Sequence, residues 1–260
     1  MTPPATIWSA TAGPQDGTHV VLIHGSLDRS AGMLKLSRRL DDEMGVTRYD
    51  RRGYGRSSPH PGPFDIDGQV DDLDAVVGRI DGDGRPLVLV GHSYGGNVAL
   101  SFVDRHPGRV AAVVTYESPM SWEPWWPQDS AGGNAMAWSD DPEEAAERFM
   151  RRLIGDDRWE RLPPATRTAR RREGAAMIGE LSDLRRRAPW RPERIDVPVL
   201  VLRGEHGQAH HRLGTDALAA ALPDATARTI PGARHFGPNT HPDEVGELVR
   251  EFVATMPSSS

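Results

Sequence analysis

Apolar residues fall along this chain in two rhythms. The first consists of short continuous runs of aliphatic and β-branched residues. They are His19-Val20-Val21-Leu22-Ile23, Val46-Thr47-Arg48-Tyr49, Leu87-Val88-Leu89-Val90, Val110-Ala111-Ala112-Val113-Val114, Val199-Leu200-Val201-Leu202 and Ala225-Thr226-Ala227-Arg228-Thr229-Ile230. Most lack the alternation of a half-exposed strand, which predicts parallel strands buried on both faces. The second rhythm lies between these runs. From Gln69 to Ile80 the apolar Val70, Leu73, Val76, Val77 and Ile80 recur at three and four, the spacing of one helix face. Asn97 to His106 and Asp243 to Ala254 are similar. Strands alternating with helices predict an α/β fold, a mostly parallel open sheet with helices on both faces and right-handed crossovers.

The alternation breaks once. From about Pro119 to Arg194 no buried strand is predicted, and helical stretches such as Pro142 to Leu153 and Thr166 to Arg187 occupy the interval. Val197-Pro198-Val199 then restarts the strand pattern. The expected organisation is a core domain of residues 1–118 and 195–260, with a helical cap of residues 119–194 inserted into it.

Composition narrows the chemistry. With 260 residues and no cysteine, the chain suits one large α/β domain and has no disulfide, thiolate nucleophile or cysteine metal site. A net charge of −6 argues against a nucleic-acid partner. No apolar run approaches the roughly 20 residues of a membrane span. Met1-Thr2-Pro3-Pro4 lacks the basic and apolar regions of a secretory signal. The expectation is a cytoplasmic protein acting on a small molecule, with no membrane partner. No H-E-x-x-H occurs, and no phosphate-binding glycine loop lies in a suitable place, so neither a metal nor a cofactor is expected.

The sharpest motif is Gly91-His92-Ser93-Tyr94-Gly95-Gly96, between a predicted strand and a predicted helix. This is a G-x-S-x-G nucleophile elbow in its required context. Small residues flank a serine held on a strained turn, and the turn lifts the hydroxyl clear of the sheet at a helix N-terminus. The Tyr94 N–H then faces a developing oxyanion. Earlier, Ile23-His24-Gly25-Ser26 ends a strand. Tyr49-Asp50-Arg51-Arg52-Gly53-Tyr54-Gly55-Arg56-Ser57 follows the next one.

With that last segment, the chain resembles the serine esterase and lipase branch of the α/β-hydrolase superfamily, whose members often carry D-x-R-G-x-G-x-S there. The likeness covers roughly residues 19–118 and 195–256. It implies an α/β-hydrolase fold, Ser93 as nucleophile, and backbone N–H groups of Ser26 and Tyr94 as oxyanion hole. His24 is expected to shape its turn, and the Asp50 loop to be structural. Ile230-Pro231-Gly232-Ala233-Arg234-His235 follows the last strand, where family members place the triad histidine, so His235 is the implied base.

The acid departs from the pattern. Family members usually carry it as G-x-x-D after the strand that follows the cap, and here Gly204-Glu205-His206-Gly207 ends in glycine. Three readings stand. Glu117, at the end of the strand after the elbow helix, ranks first and keeps the order serine, acid, histidine. Glu205 ranks second. A broken triad, leaving a non-catalytic binder, ranks third.

Trp122, Trp125, Trp126 and Trp138 open the insert and are candidates to line a substrate pocket, or to pack the cap. Residues 167–194 hold nine arginines and four acids. They are read as a solvated face with pairs such as Arg186 with Asp183, in preference to an attractor of anionic substrate. The function expected is hydrolysis of an ester, lactone or thioester through an acyl-enzyme on Ser93. C–C bond hydrolysis, perhydrolysis and acyl transfer remain open on the same serine. Relatives with aspartate at the elbow, the haloalkane dehalogenases and epoxide hydrolases, are disfavoured.

Overall fold

Seven strands form one sheet in the computed structural model, which describes residues 6–80, 84–138 and 140–256. They are β1 (Ser9–Ala12), β2 (His19–Ile23), β3 (Gly45–Tyr49), β4 (Leu87–His92), β5 (Ala112–Tyr116), β6 (Val199–Gly204) and β7 (Ala225–Ile230). The spatial order is β1-β3-β2-β4-β5-β6-β7, with β1 antiparallel to β3 and every other pairing parallel. The helices are α1 (Leu34–Leu40), α2 (Ile66–Val77), α3 (Tyr94–Arg105), α4 (Ala131–Trp138), α5 (Pro142–Ile154), α6 (Asp156–Glu160), α7 (Pro164–Arg172), α8 (Gly174–Arg186), α9 (Ala209–Ala221), α10 (Gly237–Thr240) and α11 (Pro242–Ala254).

The continuous apolar runs have a simple cause. In β2 and β4, Val21, Ile23, Leu87 and Leu89 face the cluster shared with α2 and α3. Val20, Leu22, Val88 and Val90 face the opposite cluster, with α1 and α11. Side chains alternate across a strand, so a strand covered on both faces needs apolar residues at every position. Each such side chain contributes about 1.5–3 kcal/mol when fully buried. β7 lies at the sheet edge, and its pattern is mostly exposed.

Several boundaries differ from the sequence expectation. β5 starts two residues later than its apolar run, and β1 was not expected at all. Its Ser-Ala-Thr-Ala sequence carries no large apolar side chain. Helix α2 begins at Ile66 because the Asp65 side chain accepts from Gly68 N, a cap that sets the start ahead of the apolar stripe. The stretch read as helical from Thr166 to Arg187 is two helices, broken at Glu173, whose carboxylate is drawn to Arg29 and to Gly55 N.

Between β5 and β6 the described residues hold five α-helices, α4–α8, a 3-10 turn at Pro192–Arg194, and no strand. They have a core of their own around Phe149, Met150, Trp159 and Met177, which also takes in Leu27 and Tyr54 from the sheet side.

Candidate active site

Ser93 joins β4 to α3 with φ 53° and ψ −124°, a left-handed conformation that is strained for a non-glycine residue. The glycines around it are required by close approach. A Cβ at Gly91 would collide with the Gly95 carbonyl, one at Gly95 with the Ile23 carbonyl, and one at Gly96 with Ser118 Oγ. The strand and helix therefore meet almost backbone to backbone, with Ser93 at their junction. The Tyr94 N–H, at the first turn of α3, has no intrahelical acceptor.

The His24-Gly25-Ser26 turn lies directly beside this elbow. A Cβ at Gly25 would sit 3.0 Å from Ser93 Cβ. His24 holds the turn from below. Its Nε2 accepts from Arg51 N at 3.0 Å, and its Nδ1–H donates to Gly25 O at 2.8 Å. Burial first, and then the Arg51 charge, keep this imidazole well below its ordinary pKa, hence neutral. Asp50 braces the adjoining loop by accepting from Ser30 N and Arg56 N.

Ser26 Oγ donates to Glu180 Oε2 at 2.7 Å. Glu180, from α8, also accepts from Tyr54 Oη at 2.7 Å and Gln69 Nε2 at 2.8 Å, and forms an ion pair with Arg51. Both charged side chains are fully buried. Nothing in the sequence singled out Glu180. Its only signal was an acidic residue on an otherwise arginine-rich helix pair.

At the other side of the elbow, His235 Nδ1–H donates to Glu117 Oε2 at 2.8 Å. In the neutral ring this bond assigns the proton to Nδ1 and leaves Nε2 as the acceptor nitrogen. Glu117 is fully buried, with φ 46°. Its N–H donates to Leu202 O at 2.9 Å, and its Oε1 accepts from Gly204 N at 3.0 Å. Gly207 packs against the same carboxylate, and a Cβ there would collide with Glu117 Oε1. The glycine at the usual acid position is thus the space that Glu117 occupies. Glu205 turns away: it is exposed, and its Oε2 accepts from Gly232 N at 2.8 Å.

Three further imidazoles surround His235. His92 Nε2 bonds to the His235 carbonyl at 2.7 Å, with ring centroids 4.9 Å apart. His211 stacks on His235 at 4.5 Å, and His210 lies 4.5 Å from His211. Burial pushes the His92 pKa down to about 3, with the His235 charge adding to the effect. Burial and then His235 also lower His211 and His210. These rings stay neutral, so none of them places a positive charge against His235. Among the described residues, the one grouping of possible metal donors is Glu117, His211 and His235, within 4.8 Å of one another. Two of these are already bonded to each other.

Ser93 and His235 line one cavity of about 440 Å³, together with Trp126, Phe149, Leu181, Arg185, His210 and His211 among others. The tryptophan expectation narrows to Trp126, which is buried and meets His210 edge-on at 4.7 Å. Trp122 instead packs edge-on against Trp190 at 5.7 Å, because both rings join the cluster under the sheet. Trp125 is 37% exposed and outside the cavity lining. Trp138 ends α4, and its side chain lies outside the described residues.

A family model described as "Alpha/beta hydrolase family" matches residues 20–248. Lipase LipV of Mycobacterium tuberculosis is 38% identical over 102 residues, covering 39% of this chain and 38% of its own length. Non-heme chloroperoxidase CPO-A1 of Kitasatospora aureofaciens is 37% identical over 100 residues, covering 38% of this chain and 36% of its own. The chain therefore spans well under two thirds of the length of either relative. Among solved structures, a thermophilic esterase from Thermogutta terrifontis superposes with a TM-score of 0.74 at 23% identity, over 95% of this chain and 93% of that one. At that identity the likeness concerns the fold.

Proposed function

The chain belongs to the alpha/beta hydrolase family, and from that premise we propose that it is a serine hydrolase that cleaves a carboxylic ester, lactone or thioester through an acyl-enzyme on Ser93. The observation that carries the reading is the hydrogen bond from His235 Nδ1–H to the buried Glu117. It fixes the tautomer whose Nε2 can accept a proton.

In the proposed reaction, Ser93 Oγ attacks the substrate carbonyl as its proton passes to His235 Nε2. The tetrahedral oxyanion is held by the N–H groups of Ser26 and Tyr94. Collapse breaks the ester bond, and His235 gives its proton to the departing alcohol or thiol. Water then repeats the sequence on the acyl-enzyme: His235 takes its proton, hydroxide adds, and the acid leaves as Ser93 recovers its hydrogen. Glu117 stabilises the imidazolium formed in each half. The helices between β5 and β6 act as the cap that closes the cavity over Ser93.

Hydrolysis of p-nitrophenyl butyrate tests this reading. Wild-type protein is expected to turn the ester over, and Ser93→Ala to lose kcat by a factor of roughly 10⁴–10⁶. Equal rates in the two proteins would overturn it.

A further inference from the structure

Three charged side chains of the cavity, Asp129, Arg152 and Arg185, have no part in this chemistry. Arg185 lies near the C-terminal end of α8 and lines the same cavity as Ser93 and His235. Seven of the nine arginines between 167 and 194 have a carboxylate partner within 4.0 Å. Arg172 is exposed to solvent. Arg185 is not exposed, and among the described residues it has no carboxylate partner. It is half-buried, and its described partners are neutral: Nη2 donates to Ser130 Oγ at 2.8 Å, and Nη1 lies 3.5 Å from Gln128 Oε1. Among the described residues no acidic side chain pairs with it. Gly133 backs the guanidinium, where a Cβ would lie 2.8 Å from Nη2. Burial lowers the Arg185 pKa, and no carboxylate opposes that effect. Arginine nevertheless stays charged at neutral pH.

The other charges at the cavity do not neutralise it. Asp129 is largely exposed and stands 4.0 Å from Arg152. His210 and His211 are held neutral by burial. A desolvated cation without a counter-ion is unfavourable, and a ligand carboxylate would relieve it with charge-assisted hydrogen bonds to the guanidinium fork. We propose that Arg185 is a substrate-binding residue that receives a free carboxylate, so that the preferred substrate is a half-ester or half-thioester of a dicarboxylic acid, its reacting carbonyl at Ser93. Ser130 Oγ orients the fork. The cavity, about 440 Å³, is of a size for such a small acyl chain. The inference rests on the reading of Ser93 as nucleophile.

Two measurements separate the inference from that reading. The first compares kcat/KM for p-nitrophenyl hemiglutarate and p-nitrophenyl butyrate. In Arg185→Met the hemiglutarate-to-butyrate ratio is expected to fall at least about tenfold, through KM, as loss of a charged hydrogen bond implies. Arg185→Lys, which keeps the charge but not the fork, is expected to fall less. An unchanged ratio would overturn the inference while leaving the hydrolase reading intact. The second is calorimetric titration of monomethyl glutarate into Ser93→Ala protein, with and without Arg185→Met. Binding that Arg185→Met abolishes supports the carboxylate site at Arg185; if neither nitrophenyl ester is turned over, that site stands while the hydrolase reading, and with it the half-ester substrate, falls. Equal binding to both proteins, or binding to neither, would overturn it.

Discussion

At the scale of single residues, Glu117 and Gly207 form one solution to one problem. A histidine proposed as base needs a fixed acceptor behind it, and a carboxylate reaching from the end of β5 needs space beside β6. Gly207 leaves that space, and Gly204 N and His235 Nδ1 satisfy the two oxygens. The positive φ of Glu117 is sustained by the same bonds. Glu117→Gln is therefore expected to lower kcat by roughly 10³–10⁴-fold, the scale of a triad acid made neutral, with an unchanged circular dichroism spectrum. Glu205→Gln is expected to keep near-wild-type turnover, since its carboxylate bonds Gly232 N at the surface. The reverse pattern in ester turnover would reassign the acid. Ser93 and His235 could be picked out as candidates from short local motifs. Glu117 could be ranked first from its place at a strand end, but its complementarity with Gly207 could not be read, because the two lie ninety positions apart in sequence and meet only across adjacent strands. The tryptophans illustrate the opposite case: Trp122, Trp125 and Trp126, similar residues in one short segment, are divided by packing into a core contact, an exposed ring and a cavity wall.

At the scale of elements, α8 ties the helical insertion to the sheet. It supplies Glu180 to Arg51, Tyr54, Gln69 and Ser26, and Asp183 to Ile66 N at 2.9 Å. Glu180 thus braces, through Ser26, the turn proposed to hold the oxyanion. Removing one partner of a buried ion pair leaves the other uncompensated, which costs about 3–5 kcal/mol. Glu180→Ala is expected to lose stability of that order in denaturant unfolding. The double variant Glu180→Leu with Arg51→Met is expected to lose much less than the sum of the single changes. A single-variant loss below about 1 kcal/mol would mean that water replaces the pair and that α8 is not held this way. Sequence periodicity found helical stretches over Pro142 to Leu153 and Thr166 to Arg187, but neither the break at Glu173 nor their attachments. The acid in question was one of four among nine arginines, and the Arg186–Asp183 pair expected within the helix does form, at 2.7 Å. Its partners, by contrast, lie in segments more than a hundred residues away.

At the scale of the whole molecule, the alternation of apolar runs and helical periods was enough to recover a mostly parallel sheet, because a strand covered on both faces has little freedom in composition. The edge was less legible: β1 pairs with β3 through backbone bonds and carries small, partly exposed residues that leave no hydrophobic signature. What the fold delivers is convergence. The ends of β2, β4, β5 and β6 and the loop after β7 bring Ser26, Ser93, Glu117, Gly207 and His235 to one edge of the sheet, where ligand crevices of α/β proteins lie. The central claim is that this convergence makes Ser93 a nucleophile. It is tested most directly by the mass of the folded protein after exposure to a fluorophosphonate, with the modified peptide located by fragmentation. One adduct is expected on Ser93, none in Ser93→Ala, and slowed formation in His235→Ala. Folded wild-type protein that stays unmodified, or an equal adduct in Ser93→Ala, would contradict it.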